Sequence, residues 1–499
     1  MIECVWRAGV PPWLRVGQPT RRLRQLSVVG VVVLWLAGCT SNQPYHQCGA
    51  DADAARCADS YLQPAEHYSL AIPEFSERGN AFDDQVIDDV LQLVRGGPAV
   101  STTRDSEHGV VTIVYVHGWK HNGSEREGGN LADFKKVLAG IGVNAEGSNL
   151  NDRRLVGVYV GWRGLSVDLP GIRELSYWER KSVAEQLGNT GLSRLLLELD
   201  VIDRERPDNV LVIVGHSFGG AAVLSAIAKP LLARMTEDPV PSADARDPCA
   251  DVRCGVGDGV FLLNPAIEAN QALSLVEASL KLDFSDQQPP LLVSLSSEAD
   301  WANAYAFPLG QTLGLIATSK QTELERQTFV VDGDNGPVPE PVREESLDTI
   351  TVGNFAPYLS HRIDVPPSEE VCRGVEHAVA SIDYEFDTDP LQRCDDYHSS
   401  EACGPKRFPS GFDRTTKGLR VAGRGLNNPL YFVRTNTYFM SGHNDIFNPH
   451  VIAFLSAQLD ERLFASGHIG HRSNRLFSDA SAFTQQYKNA LGFSCSIDF

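Results

Sequence analysis

Apolar, β-branched runs recur along this chain at residues 110–116, 155–160, 210–214, 260–263, 291–295 and 430–434. Each is short and continuous rather than alternating, the pattern of a strand buried on both faces. Between several of them, residues 180–187, 194–202 and 221–232 carry apolar side chains at helical spacing. Strands alternating with helices predict an α/β fold, with a mostly parallel central sheet flanked by helices.

Two intervals break this rhythm. Residues 236–258 are rich in Pro and Asp, and residues 301–429 form a much longer insertion whose 332–348 stretch is loaded with Pro, Gly and acids. A structureless loop of that length is foreign to a compact domain, so the insertion is expected to form a lid or cap. The predicted organisation is a signal segment over 1–38, a tether and extension over 39–105, and the first part of the core over 106–300. The cap follows over 301–429, the last strand and a closing helix over 430–465, and a carboxyl-terminal extension over 466–499. The string Asp332-Gly333-Asp334-Asn335-Gly336 faintly resembles a calcium loop. Arg343 stands at its twelfth position, where a bidentate Glu is required, so no metal site is expected there.

At the amino terminus Arg21, Arg22 and Arg24 precede an apolar run over 26–36 that meets Ala37-Gly38-Cys39. A basic flank, a short apolar stretch and small residues at a cleavage point make a secretory signal. The run is too short to cross a hydrocarbon core of about 30 Å as a helix. The string Leu36-Ala37-Gly38-Cys39 resembles a bacterial lipobox, which implies diacylation of Cys39 as the new amino terminus. The implied location is the bacterial cell envelope, with the lipid anchor as the membrane partner. Thr40 in place of Asp points to the outer membrane where there are two.

Cysteine usage fits export. Apart from Cys4 and Cys39 the chain has eight cysteines, an even number that outside the cytosol reads as up to four disulfides. Cys48 with Cys57, Cys249 with Cys254 and Cys394 with Cys403 are the candidate local pairs; none has zinc-ribbon spacing. The formal net charge of −20 becomes more negative once the Arg-rich leader is removed, and no compact Lys/Arg block follows. Such a surface repels phosphate backbones, so nucleic acid is not an expected partner.

The chemistry centres on Gly215-His216-Ser217-Phe218-Gly219, which follows the 210–214 strand and opens the small-residue helix Gly220-Ala221-Ala222. A G-x-S-x-G string bracketed by strand and helix is a nucleophile elbow, in which a sharp turn lifts the serine hydroxyl clear of the backbone. Serine needs a base to react. Ser441-Gly442-His443-Asn444-Asp445 after the last strand supplies His443, with His450 as competitor at the start of the closing helix. The acid that orients the base is expected after the preceding strand, in Ser297-Glu298-Ala299-Asp300-Trp301. Asp300 is the first choice, Glu298 the second and Glu268 a third; an acid at 300 would equally cap a helix beginning near Trp301. The developing oxyanion needs two preorganised N–H donors. Phe218, at the positive end of the elbow helix, and Trp119, after the turn His117-Gly118, are the candidates. His117, His121 and His216 read as supporting residues.

With these motifs in order, the chain resembles the α/β-hydrolase superfamily of esterases and lipases. The likeness includes Val158-Tyr159-Val160-Gly161-Trp162-Arg163-Gly164, Leu262-Leu263-Asn264-Pro265-Ala266 and Gly442-His443-Asn444-Asp445-Ile446, shared with a bacterial and fungal branch of it. The resemblance implies the hydrolase fold and a Ser217–His443–Asp300 triad acting on a small-molecule or lipid ester without metal or organic cofactor. It does not choose a substrate, since related folds serve many acyl chemistries. An envelope acyltransferase and a silent binding protein on the same scaffold are the alternatives.

Overall fold

The computed structural model describes residues 43–46, 60–96, 109–124, 129–144, 153–165, 177–239, 249, 252–285, 288–308, 311, 325–326, 330–333, 336–339, 342–363, 412–413, 428–448, 450–452 and 454–455. The signal segment, Cys39 and the carboxyl-terminal extension lie outside them, as does most of the 364–427 part of the expected cap.

The strands in chain order are β1 (Leu62–Pro64), β2 (Ser69–Ala71), β3 (Glu74–Phe75), β4 (Val110–Val116), β5 (Arg154–Trp162), β6 (Val210–His216), β7 (Gly259–Leu263) and β8 (Leu292–Ser297). Then come β9 (Glu325–Arg326), β10 (Val330–Gly333), β11 (Gly336–Pro339), β12 (Val342–Arg343), β13 (His361–Ile363), β14 (Phe412–Asp413) and β15 (Leu430–Thr435). The main sheet runs β1-β2-β5-β4-β6-β7-β8-β15-β13-β14, with β3 also paired to β5. Every pairing from β2 across to β13 is parallel, and only the two edge pairings, β1 with β2 and β13 with β14, are antiparallel.

The chain makes this sheet because its central strands are apolar on both faces. All seven residues of β4, all nine of β5 and all seven of β6 are buried. Alternate side chains enter two separate cores, as the period of two requires. Val114, Val116, Leu211 and Ile213 pack with the helices Asp84–Arg95, Tyr177–Leu187, Ser193–Arg204, Phe218–Thr236 and Ala269–Ser279. Val111, Ile113, Tyr115 and Val212 pack on the other face with Leu131, Phe134 and Leu138 of the helix Asn130–Asn144, and with Phe439, Ile446 and Val451. Among the described residues Phe218–Thr236 is the helix long and apolar enough to cross a membrane; most of it is buried within the first core.

Residues grouped from sequence with the tether join the body of the molecule. Strands β1–β3 extend the sheet beyond β5, and the helix Asp84–Arg95 buries Ile87, Val90, Leu91, Leu93 and Val94. That helix is closed at both ends, by Asp83 accepting from the N–H of Gln85 and by Gly96 at φ 98°. Part of the 301–429 interval also belongs to the sheet. β13 pairs with β15, and Leu347, Val352, Phe355 and Tyr358 enter the first core. Cys249 and Cys254 lie at disulfide distance, with Cα atoms 5.4 Å apart; the other two candidate pairs fall outside the described residues.

A run of parallel strands brings all its carboxyl ends to one edge, where ligand sites of open α/β sheets form. On this edge Gly118 and Trp119 follow β4, Ser217 follows β6, Asn264 follows β7, Asp300 follows β8 and His443 follows β15.

Candidate active site

Ser217 sits at the junction of β6 and the helix Phe218–Thr236 with φ 55° and ψ −120°. This is left-handed backbone that an L-residue enters only under strain. The surroundings hold it there. Ser217 N–H donates to Leu263 O at 3.0 Å, and its carbonyl accepts from the N–H of Ala266 at 3.2 Å. Only glycine fits on either side. A Cβ on Gly219 would lie 2.0 Å from Val116 O, and one on Gly215 would lie 2.8 Å from Gly219 O.

The hydroxyl meets an imidazole. Ser217 Oγ is 2.8 Å from His443 Nε2, and His443 Nδ1 is 2.8 Å from Asp300 Oδ2. A carboxylate only accepts, so Nδ1 carries the proton and Nε2 is the acceptor for the serine hydroxyl. Asp300 is 1% exposed and the His443 side chain 21%, so the acid is sealed while the imidazole borders solvent. The other oxygen of Asp300 accepts from the N–H of Asn303 at 3.1 Å, so the carboxylate both caps the turn after Trp301 and holds His443. Glu268 is engaged elsewhere, 2.6 Å from Lys181 Nζ.

The turn after β4 packs against Ser217. His117 is fully buried and stacked on Trp162, with ring centroids 5.4 Å apart. Its Nε2 accepts from the backbone N–H of Trp162 at 3.2 Å, which leaves Nδ1–H to donate to Gly118 O at 2.9 Å. Burial lowers its pKa to about 3, so it is a neutral brace of the turn that carries Trp119. His121 is lowered to about 4, chiefly by burial. His216 is lowered well below the ordinary range by burial and by His443 alongside, its ring centroid 5.1 Å away. His450 is buried near Phe439, 5.7 Å between rings, and is not joined to Ser217.

Three non-glycine residues have positive φ among the described ones: Lys120 at 71°, Ser217 at 55° and Asn264 at 42°. All three stand at the carboxyl edge, each within four residues of the end of β4, β6 or β7. Backbone strain of this kind persists only where the surroundings over-determine it, and it gathers at functional sites.

Asn264 is the residue that reading the chain did not single out for a role. It is fully buried, and its amide joins the base loop to the acid strand. Nδ2 donates to Gly442 O at 3.1 Å and to His443 O at 3.0 Å, while Oδ1 accepts from the N–H of Ser297 at 2.9 Å. The available signal was an Asn-Pro directly after a buried strand, which marks a special turn and nothing more. Beside it Ser297 Oγ donates to Met440 O at 2.5 Å, a second tie between the same two loops. No protein-family model matches the chain, and no curated protein matches it.

Proposed function

We propose that this chain is a serine hydrolase of the α/β-hydrolase fold that cleaves carboxylic esters through an acyl-enzyme. The observation that carries the reading is the unbroken relay from Ser217 Oγ through His443 to Asp300, 2.8 Å at each link, built on a strained strand-to-helix turn. The succession β5-β4-β6-β7-β8-β15, with nucleophile, acid and base after β6, β8 and β15, supports it.

In this reading Ser217 Oγ attacks the acyl carbon while His443 Nε2 takes its proton. Asp300 keeps the imidazole in the required tautomer and offsets the charge it acquires. The tetrahedral oxyanion accepts from the N–H groups of Phe218 and Trp119, the former at the positive end of a helix. Collapse expels the alcohol, which leaves with the proton from His443. Water, activated by the same imidazole, then releases the acid and restores Ser217. These steps call on no metal or organic cofactor. Diacylation at Cys39, an envelope location and a cap from the parts of 301–429 that do not join the sheet and its core belong to the same proposal.

A fluorophosphonate probe tests it. The wild type is expected to be labelled and Ser217→Ala not; equal labelling of the two refutes the assignment.

A further inference from the structure

We propose that Asn264 and His216 are positioning residues for the base: together they fix the main-chain carbonyls of Gly442 and His443, and so aim the His443 imidazole between Ser217 and Asp300. The inference rests on the hydrolase reading for its consequence in turnover, though not for its geometry.

The carbonyl of His443 has two lone pairs, and both are taken. His216 Nε2 donates to it at 2.9 Å and Asn264 Nδ2 at 3.0 Å. Since a carbonyl only accepts, the proton of His216 is on Nε2, and Nδ1 is a bare acceptor with no hydrogen-bond partner among the described residues. The second hydrogen of the Asn264 amide goes to Gly442 O at 3.1 Å. Phe439, Met440 and Ile446 pack the two ends of this loop into the core, but packing does not fix its tip. A Cβ built on Gly442 would meet nothing within 4 Å, so the loop is open on that side. Hydrogen bonds from beneath hold it instead.

Asn264 also reports to the acid. Its Oδ1 accepts from Ser297 N–H at the end of β8, and its own N–H donates to Leu295 O at 2.8 Å. Asn303 Nδ2 donates to Asn264 O at 2.9 Å, and Asn303 N–H donates to Asp300 Oδ1 at 3.1 Å. One side chain therefore ties the loop of the base to the strand of the acid. His216, next to Ser217 in the chain, ties it to the nucleophile. An amide is required at 264 because donors must face two carbonyls while an acceptor faces an N–H. An isosteric carboxylate would set like charges against those carbonyls.

The test uses the full chain with Asn264→Asp, His216→Phe and His216→Gln, whose amide reaches the same carbonyl. Three quantities are measured: the rate constant of fluorophosphonate labelling, the low-field proton resonance of His443 Nδ1, and the thermal melt. Asn264→Asp and His216→Phe should each cut the labelling rate about 10²-fold, the cost of misplacing a reacting group by roughly an ångström. Both should broaden or remove the low-field proton while melting cooperatively, and His216→Gln should recover most of the rate and the resonance. The proposal is overturned if folded Asn264→Asp and His216→Phe keep both, or if His216→Gln is as impaired as His216→Phe. Should Asn264→Asp fail to fold, the two His216 variants decide the matter. If the wild type itself is not labelled, the hydrolase reading falls, and the proton resonance alone still decides whether these residues position the imidazole.

Discussion

Gly118 leaves no room for a side chain beside Ser217: a Cβ built on it would lie 2.7 Å from the Cβ of Ser217 and 3.0 Å from His216 O. The turn after β4 and the nucleophile elbow therefore touch backbone to side chain. Gly118→Ala must push one of them away. The expected outcome is a loss of fluorophosphonate labelling of about 10²-fold, since displacements of this order disturb a near-attack geometry. Circular dichroism should show the fold retained. Labelling at the wild-type rate would show that the turn yields without cost.

The acid is tested by a pair of amides. Asp300→Asn keeps the shape but lets Nδ1 of His443 face a donor as readily as an acceptor, which permits the wrong tautomer. Turnover of p-nitrophenyl esters is expected to fall about 10⁴-fold, as when such an acid is neutralised. Glu298→Gln should leave turnover within the scatter of the assay. The reverse pattern would move the role to Glu298.

Buried neutral histidines make the fold sensitive to acid. His117 has its pKa lowered from 6.5 to about 3 and His121 to about 4, each chiefly by burial, and His216 is lowered as well. The unfolded chain binds these protons at higher pH than the folded one. Stability is therefore complete above about pH 6.5 and is lost as pH falls below it, at up to about 1.4 kcal/mol per pH unit for each fully buried ring. Urea melts from neutral pH down to about pH 4 should show that slope, and His121→Gln should reduce it. A flat profile would contradict the neutral, buried assignment.

Stability and chemistry separate at Asp200. It is fully buried, 2.6 Å from Arg234 and 3.2 Å from Arg204, and accepts from the N–H of Gly257 at 2.7 Å. Burial alone would raise its pKa, but the hydrogen bond from Arg234 and the charge of Arg204 bring it below the ordinary value. Gly257 precedes β7, so this network braces the edge of the sheet opposite Ser217. Asp200→Asn should cost about 2 kcal/mol by taking the charged acceptor from Arg234 and Arg204, which keep their bonds to Gly255 O. Labelling per folded molecule should stay unchanged. A fall in labelling without a fall in melting temperature would reverse the division.

The central strands were legible because burial on both faces writes an unbroken apolar run. The runs at 110–116 and 210–214 lie within β4 and β6, and the strands extend only to Val116 and His216. The outer strands were not legible. β1, β2 and β13 are three residues each, too short for any periodicity; β5 and β15 offer the edges on which β2 and β13 pair, and β1 pairs in turn with β2. Among the candidates for the site, chain order picked out Ser217, Asp300 and His443, the three that the structure brings within hydrogen-bond distance. Spacing could not separate Asp300 from Glu298. The separation comes from the loop after β8, where Glu298 N–H is bonded to Thr435 O and Asp300 lies two residues further on. Asn264 was invisible for a related reason. Its partners Gly442 and His443 lie 178 and 179 residues away and become neighbours only when β7, β8 and β15 are side by side.

β15 is an interior strand, hydrogen-bonded to β8 on one side and β13 on the other, although it arrives late in the chain. A polypeptide that emerges amino terminus first can align β4 to β8 before residue 430 arrives, and would then present β8 as a bare rim. Completion of the sheet and arrival of the imidazole at 443 are thus one event. The growing chain carries an elbow serine without its partner imidazole until a further 226 residues have followed it, and a product truncated just before β15 would be an unfinished sheet prone to edge-to-edge association.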